Sequence, residues 1–409
     1  MRALAVAAAM AIAPLEAGAE EQGPFHFQAT VATQAHPAFQ AAYSGKKPLG
    51  DGRFGNSLQS DAESATSVVM DLSLTLHPWE GAELLFQPEL AGGRGLSSTL
   101  GVAAFPSGEV YRVGNPEPTL IVARAALKQA VGPLTFMAGK YAIPEIFDNV
   151  PFANNPHTQF MSWGLWASAA YDYPADVRGY TWGLAADFSK DWWSVRAGIF
   201  LEPRVANGAR LETDILKARG LVVELEARSG PGAVRVLGFL NTADMGSYAR
   251  AAAGNLQVED TRAQGRTKAG MAASANYDFG RGLGAFIRAS FNDGKNETWA
   301  FTEIDRSLAL GAVQSGARWG RELDEAGAGL VVSGLSGPHR AYLAGGGYGF
   351  IIGDGALRYG AELLGELFYR AGVTEQVSLG VNYQPILNPA FNRDRGPVHV
   401  FTGRAHIAF

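Results

Sequence analysis

Apolar and polar side chains alternate along most of this chain. In residues 398–409, VHVFTGRAHIAF, one set of alternate positions is apolar and ends at Phe409, whereas the other set carries Arg404 and His406. A period of two indicates a β-strand with two different faces. The same alternation recurs in segments from the first third of the chain to its end: 67–77, 220–230, 361–370 and 374–384. These segments are predicted to be strands.

Short turns and long loops separate the predicted strands in alternation. Strands of about ten residues are long for a soluble protein and can cross a bilayer at a tilt. The short turns are 78–81, 132–133, 189–191, 230–232, 280–282 and 372–374. The long segments are 34–66, 91–117, 143–178, 203–218, 242–267, 293–305, 335–357 and 385–397. This order predicts an all-β fold, a transmembrane antiparallel up-and-down β-barrel of about sixteen strands with short periplasmic turns and long outer loops.

The predicted sheet must close on itself in a bilayer. Lipid offers no hydrogen bonds, so every backbone N–H and C=O has to pair within the sheet. The C-terminal strand is therefore expected to pair with the first strand, 26–33. This terminal strand is also the segment through which we expect the barrel-assembly machinery to act.

The two faces of the strands are expected to meet different solvents. Charged positions on the polar faces are predicted to line a wet lumen, among them Glu362, Glu366, Arg370 and Arg404. Outer-membrane lipid is expected to meet the opposite faces, at Leu72, Leu74, Val223, Leu225, Leu379, Val381 and Phe401. Aromatic residues at strand ends are predicted to form interfacial girdles, at Trp182, Trp192, Trp193, Trp299 and Tyr369.

Composition narrows the class of protein. The 409 residues include no cysteine, and their formal net charge is −5. Disulfides and thiolate metal sites are excluded, and the acidic balance argues against a nucleic-acid partner. The N-terminus has a positive residue, an apolar run and a small-x-small motif ending at Ala19, which predicts a secretory signal peptide over 1–19. Residues 20–409 are then expected to form a single barrel domain in the bacterial outer membrane.

Catalytic chemistry finds little support in the sequence. Glu362 and Glu366 share one strand face about 13 Å apart, which exceeds the carboxylate separation of glycosidases. No HExxH motif or paired histidine spacing is present, and no cofactor is expected. An outer-membrane barrel enzyme acting on lipid or glycan would need a nucleophile–base pair at the outer rim. A soluble secreted β-sandwich is a further alternative, which would extract into buffer without detergent.

Segment 143–178 is the longest loop and is rich in aromatic residues. A loop exposed to solvent rarely carries so many, so we expect this one to fold inward and narrow the pore. Aromatic faces beside amides and carboxylates suit sugars, whose C–H faces stack while their hydroxyls form hydrogen bonds. A loop that packs its own apolar core and plugs the barrel is equally compatible. The candidate residues are Asp148, Asn149, Trp163, Trp166 and Asp172.

Several segments resemble a known family. HPAFQAAYSG at 36–45, FANNPHTQFMSWG at 152–164 and NPAFNRDRGPVHVF at 388–401 are similar to the carbohydrate-selective porins of the OprB family, and the resemblance extends over about 25–409. It implies a sixteen-stranded outer-membrane barrel with a constricted, sugar-selective channel, acting as a monomer or a homotrimer. By this resemblance, wall residues at the constriction are expected to include Arg124 and Lys128, followed by Glu117 and Asp148.

A different solute is an alternative on the same barrel. HPAFxxxYSG and LGVAAFPSGE, the latter at 100–109, also resemble a branch described as high-affinity manganese porins. Mn²⁺ is a hard cation that prefers carboxylate oxygens, with imidazole as a further ligand. The sequence spacing does not bring such ligands together. The candidates are Asp148, Asp172, Asp176, Glu109 and Glu117, with His36 or His157.

Overall fold

Sixteen antiparallel strands form a closed barrel in the computed structural model. The structure describes residues 24–45, 57–96, 101–108 and 117–409, so the predicted signal peptide lies outside the described residues. The strands in chain order are β1 Phe25–His36, β2 Glu63–Leu76, β3 Ala82–Gly93, β4 Thr119–Val131, β5 Leu134–Tyr141, β6 Thr181–Ser189, β7 Trp193–Leu201, β8 Arg219–Ser229, β9 Gly232–Ala243, β10 Arg266–Asp278, β11 Leu283–Asn292, β12 Arg306–Ser315, β13 Glu325–Gly334, β14 Glu362–Gly372, β15 Val377–Leu387 and β16 Val398–Ala408. The predicted fold class is confirmed.

The first and last strands close the barrel. β1 pairs with β16 from Gln28 opposite Ala408 to Ala35 opposite Phe401, and each other strand pairs with its neighbours in the sequence. Phe409 continues the seam, because its backbone exchanges hydrogen bonds with that of Phe27. The sheet therefore has no unpaired edge, as a lipid environment requires.

The connections alternate between short turns at one end of the barrel and long loops at the other. The described parts of the loops carry three short α-helices, α1 Trp163–Trp166, α2 Tyr248–Gly254 and α3 Gly337–Ala344. Single 3₁₀ turns occupy Ile143–Glu145, Val258–Thr261, Gly316–Trp319 and Pro389–Phe391. No described helix combines the length and the apolar composition needed to cross a membrane.

The alternating pattern assigns the two faces of the wall correctly. Leu225 is 54% exposed on the outside of β8, whereas the next residue, Glu226, is 7% exposed and points inward. The same outward exposure holds for Leu72, Val223, Leu379, Val381 and Phe401, and Leu74 is half-buried between its neighbours. The outer surface of the barrel is thus an apolar belt.

One of the predicted girdle aromatics lies elsewhere. Trp299 is 1% exposed, and its indole N–H donates to the carbonyl of Pro203 at 2.7 Å. It belongs to the loop between β11 and β12, where it packs in the interior, so its assignment to the girdle was wrong. Trp182 and Trp192 are exposed at opposite ends of the outer surface, close to the predicted positions.

The long loops at one end of the barrel are tied together around a buried carboxylate. The Asp305 carboxylate lies 3.1 Å from Nδ1 of His339 in α3 and accepts the N–H of Ser336 at 2.8 Å. The His339 ring stacks on Tyr248 of α2 with ring centroids 4.0 Å apart. Burial raises the pKa of Asp305, but the charge and hydrogen bond of His339, the charge of Lys268 and the Ser336 N–H outweigh it and lower the pKa to about 2.

This tie predicts a measurable dependence of stability on pH. Between about pH 4 and pH 2 the unfolded chain binds a proton at Asp305 and the folded chain does not, so the stabilisation is complete above the unfolded pKa and is lost as pH falls through the folded pKa. Asp305→Asn should lack ~2 kcal/mol of this pH-dependent stability. The free energy of unfolding in detergent micelles, measured against pH, checks it. Asp293→Asn in the same loop is the control, and identical profiles for all three proteins would contradict the prediction.

Candidate functional site

Two loops run into the barrel and fill part of the lumen. The first is residues 101–108, a described part of the connection from β3 to β4. The second is 142–180, which connects β5 to β6 and includes the predicted segment 143–178. Their apolar side chains pack together into the main buried cluster of the described chain, inside the wall. Because buried backbone groups must be hydrogen-bonded, the wall has to offer acceptors and donors to these loops.

Two carboxylates on β14 provide acceptors for both loops. Glu366 accepts the backbone N–H groups of Met161 and Ser162 at 2.8 and 2.9 Å, together with the side-chain amides of Asn382 and Gln384. Glu362 accepts three further backbone N–H groups, those of Ala103, Ala104 and Ala390. Both residues are only 1% exposed. The expectation that they line the passage is therefore corrected, because their oxygens are occupied by loop backbone.

Asp148 fixes the beginning of the long inward loop. Its carboxylate lies 2.9 Å from the guanidinium of Arg288 on β11 and accepts both the N–H and the hydroxyl of Ser168. Its own backbone N–H donates to Glu224 on β8 at 2.7 Å. These contacts connect the loop to β8 and β11, so Asp148 acts as an anchor of the loop.

Asp172, further along the loop, is also a buried carboxylate that accepts hydrogen bonds from the protein. Its carboxylate accepts the successive backbone N–H groups of the β11–β12 loop, from Trp299, Ala300, Phe301 and Thr302, at 2.8 to 3.3 Å. Asp172 is fully buried. Neither Asp148 nor Asp172 presents a free carboxylate to a solute, which corrects their assignment as lining groups.

The two tryptophans of α1 belong to the interior of the inward loops. Trp163 and Trp166 meet edge to face with ring centroids 5.1 Å apart, and Trp163 also stacks on Phe105 of the other inward loop. Both are buried. The sequence allowed a sugar platform or a packed core for these rings, and the structure places them in a packed core.

A buried carboxyl group beside this core has no hydrogen-bond partner. Glu202, immediately after β7, is fully buried, and neither of its oxygens meets a donor within the described part of the chain. Burial, with the nearby charge of Asp172 adding to it, raises the pKa of Glu202 well above its usual range. Burial likewise raises the pKa of the Tyr171 hydroxyl, and the charges of Asp148 and Glu224 raise it further. Both groups are favoured in their neutral forms.

An open cavity of about 340 Å³ remains between the inward loop and the wall formed by β4 to β9. Its polar lining includes two residues predicted from the sequence, Lys128 and Asn149. The other charged lining groups are Glu145, Asp187, Arg196, Glu226 and Arg235. The volume of this cavity is sufficient for a small solute.

The charged groups of the cavity are paired into a network. Arg196 on β7 contacts Asp187 at 2.8 Å, Glu224 at 2.7 Å and Glu226 at 3.1 Å. Arg235 on β9 completes the network through Glu226 at 2.8 Å. These side chains project inward because they occupy alternate positions of adjacent strands. The pairing holds each group in a defined orientation.

The remaining predicted wall residues lie at different places. Arg124 pairs with Glu145 of the inward loop at 2.8 Å, and Lys128 pairs with Glu83 at 3.0 Å. They share the inner face of β4, whose register with β3 shifts at Gln87. Glu117 is exposed just before β4, at the opposite end of that strand from Lys128.

Arg370 and Arg404 occupy the inner wall on the other side of the lumen. Arg370 of β14 lies directly opposite Glu325 of β13 in the register and is half-buried. Arg404 of β16 is 5% exposed because its guanidinium holds the inward loop. Arg404 is thus a further anchor of the loop, which corrects its assignment as a lining group.

The candidate manganese ligands are dispersed. Asp148 and Asp172 hold loops, Asp176 lies 3.4 Å from Lys140, and His157 contacts Thr30. His36 lies 3.7 Å from Glu63, and Glu109 falls outside the described residues. Among the residues that the structure describes, no three His, Asp or Glu side chains are arranged to hold a metal ion.

Comparison with known proteins decides the family. The sequence profile of a family described as "Carbohydrate-selective porin, OprB family" matches residues 55–409. The chain belongs to the OprB family. A structure of Pseudomonas putida OprB at high pH has a TM-score of 0.73 with 17% identity, covering 94% of both chains.

Two further solved structures share the barrel fold. The low-pH structure of the same Pseudomonas putida protein has a TM-score of 0.52 and 16% identity over 94% of this chain and 93% of that one. A loop-deletion mutant of OmpT from Vibrio cholerae has a TM-score of 0.52 and 12% identity over 94% and 99%. At these identities the likeness concerns the fold. No curated protein sequence matches the chain.

The sequence missed part of this OprB-family lumen. Arg196, Asp187 and Glu145 were not among the candidates, although each contributes to the cavity. Asp187 and Arg196 stand opposite each other in the register of β6 and β7. The available signal for this pair was an acidic and a basic residue facing each other across a short turn. The two strands that carry them are only nine residues long.

Proposed function

We propose that the chain forms a passive, carbohydrate-selective diffusion channel across the bacterial outer membrane, with 143–178 as its constriction. The observation that carries the proposal is the inward loop, which is anchored to opposite walls and leaves a charged cavity beside it. A channel of this kind makes and breaks no bonds, and selectivity comes from the size and polarity of its narrowest part.

The charge balance of the cavity supports a neutral, hydroxyl-rich solute. Three cations, Lys128, Arg196 and Arg235, are matched by three carboxylates, Glu145, Asp187 and Glu226. Such a lining offers donors and acceptors to sugar hydroxyls without a net field that would attract one sign of ion. The manganese alternative would require an excess of carboxylate oxygens at the passage.

Conductance through single channels tests this function. We expect glucose to reduce the ion current and Mn²⁺ to pass no better than other small cations. Lys128→Glu should shift the selectivity toward cations roughly threefold, because it replaces a positive charge by a negative one in a balanced cavity. Lys190→Glu, in the exposed turn before β7, is the matched control. Mn²⁺ block at low concentration together with no effect of glucose would favour the manganese channel instead.

The route of the chain to the membrane forms part of the proposal. Removal of residues 1–19 during export would leave the barrel domain, and the regular strand β16 would present the C-terminus to the assembly machinery. The mass of the protein purified from outer membranes tests the cleavage position. Its migration before and after heating distinguishes a monomer from a homotrimer.

A further inference from the structure

The tip of the inward loop is held against the barrel seam by one guanidinium group. Arg404 of β16 donates from Nη1 to the carbonyl of Pro156 at 3.0 Å. Its Nη2 donates to the carbonyls of Thr158 and Gln159 at 2.9 and 2.8 Å. All three acceptors are backbone carbonyls, so Arg404 holds the tip without an ion pair.

Two imidazoles share one hydroxyl beside this contact. Nδ1 of His157, at the loop tip, lies 3.0 Å from Oγ1 of Thr30 on β1. Nδ1 of His406 on β16 lies 2.8 Å from the same oxygen, and the two ring centroids are 6.0 Å apart. A hydroxyl has one proton, so it can donate to one neutral imidazole while it accepts from the other. The arrangement fits two uncharged rings that join the loop to both strands of the seam.

Several other positively charged or titratable side chains surround the two rings. Arg404 on β16, Arg370 on β14 and His26 on β1 act electrostatically on His406 together with His157. Two carboxylates, Glu366 of β14 and Glu325 of β13, act electrostatically on Arg404. A metal cation bridging the two histidines would meet the same repulsion. Protonation of the imidazoles would therefore add repulsion within the cluster and weaken the docking of the loop tip, and a bound cation would do the same.

We propose that His157, Thr30 and His406 form an acid-sensitive latch, which keeps the loop tip docked when both imidazoles are neutral and releases it when both are charged. Free imidazole titrates at about pH 6.5, so acidic medium drives the change. Two positive charges about 6 Å apart in a partly wet lumen shift a docking equilibrium about tenfold. The effect of the latch on transport rests on the proposed function of 143–178 as the constriction. The docking of the loop tip does not depend on that function.

A single spin label on the loop tip tests the latch directly. The chain has no cysteine, so Asn154→Cys gives one labelling site in the full-length barrel, at an exposed position near the tip. As pH falls from about 7.5 to about 4, the mobile fraction of the label should rise roughly tenfold. His157→Gln with His406→Gln should keep the label immobile throughout, because glutamine does not titrate.

His399→Gln is the matched control, because His399 contacts Tyr383 on the outer face and lies outside the cluster. It should leave the transition unchanged. A label that stays immobile at acid pH in the parent protein overturns the latch, as does a transition that persists in the double variant. The spectrum of the label reports docking irrespective of solute, so these outcomes are separate from any failure of sugar selectivity.

Discussion

Glu366→Ala should open the passage and destabilise the barrel interior. The substitution removes the acceptor of two loop N–H groups, at Met161 and Ser162, and of two wall amides. Each buried donor left without a partner costs about 1–3 kcal/mol, and rearrangement of the loop recovers part of the sum. We expect a loss of ~4 kcal/mol in the free energy of unfolding and a rise in single-channel conductance of roughly twofold or more.

Two variants make this result interpretable. Glu366→Gln keeps one acceptor oxygen and should lie between the parent and the alanine variant in both measurements. Glu375→Ala, in the exposed turn between β14 and β15, should change neither. If Glu366→Ala retained the parent stability and the parent conductance, Glu366 would not be an anchor on which the loop depends.

Leu225→Arg should have a comparably large effect for a different reason. Leu225 is exposed on the outer face near the middle of β8, where an arginine would enter hydrocarbon. A cation at the bilayer midplane on a barrel surface costs roughly 2–4 kcal/mol. Unfolding measured in lipid vesicles checks the loss.

The matched change on the lumen face is Ser73→Arg, which should cost far less because Ser73 is half-buried on the wall of the lumen. Thr402, which the alternating pattern also suggests as a control, is unsuitable. It is 4% exposed and accepts a hydrogen bond from Gln34, so an arginine there would displace neighbours. Equal losses for Leu225→Arg and Ser73→Arg would contradict the assignment of the faces.

The wall of the barrel could be predicted because its signals are local. Alternation along β8 separates Val223 and Leu225 from Glu224 and Glu226, and the register then follows from the turns. The number of strands follows from counting such segments between short and long connections. These features depend on residues close together in the chain.

The path of the inward loops depends on contacts far apart in the chain, and the sequence did not reveal it. Glu366 and Ser162 are about two hundred residues apart, and nothing near either residue indicates their pairing. A retrospective signal exists in β14, where Glu362 and Glu366 interrupt inward positions occupied by Leu364 and Phe368. An acidic residue between apolar ones on an inner face indicates an acceptor for buried backbone.

The seam between β1 and β16 imposes an order on maturation. Thr30 and His406 are directly opposite each other across this seam. The hydroxyl of Thr30 contacts both His157 of the loop tip and His406. Arg404, on the last strand, supplies the rest of the dock. The site that receives the loop tip therefore does not exist until the two ends of the chain have met. A barrel whose first and last strands have not yet paired lacks this dock, whereas the anchors of the same loop on β8, β11 and β14 do not depend on the seam.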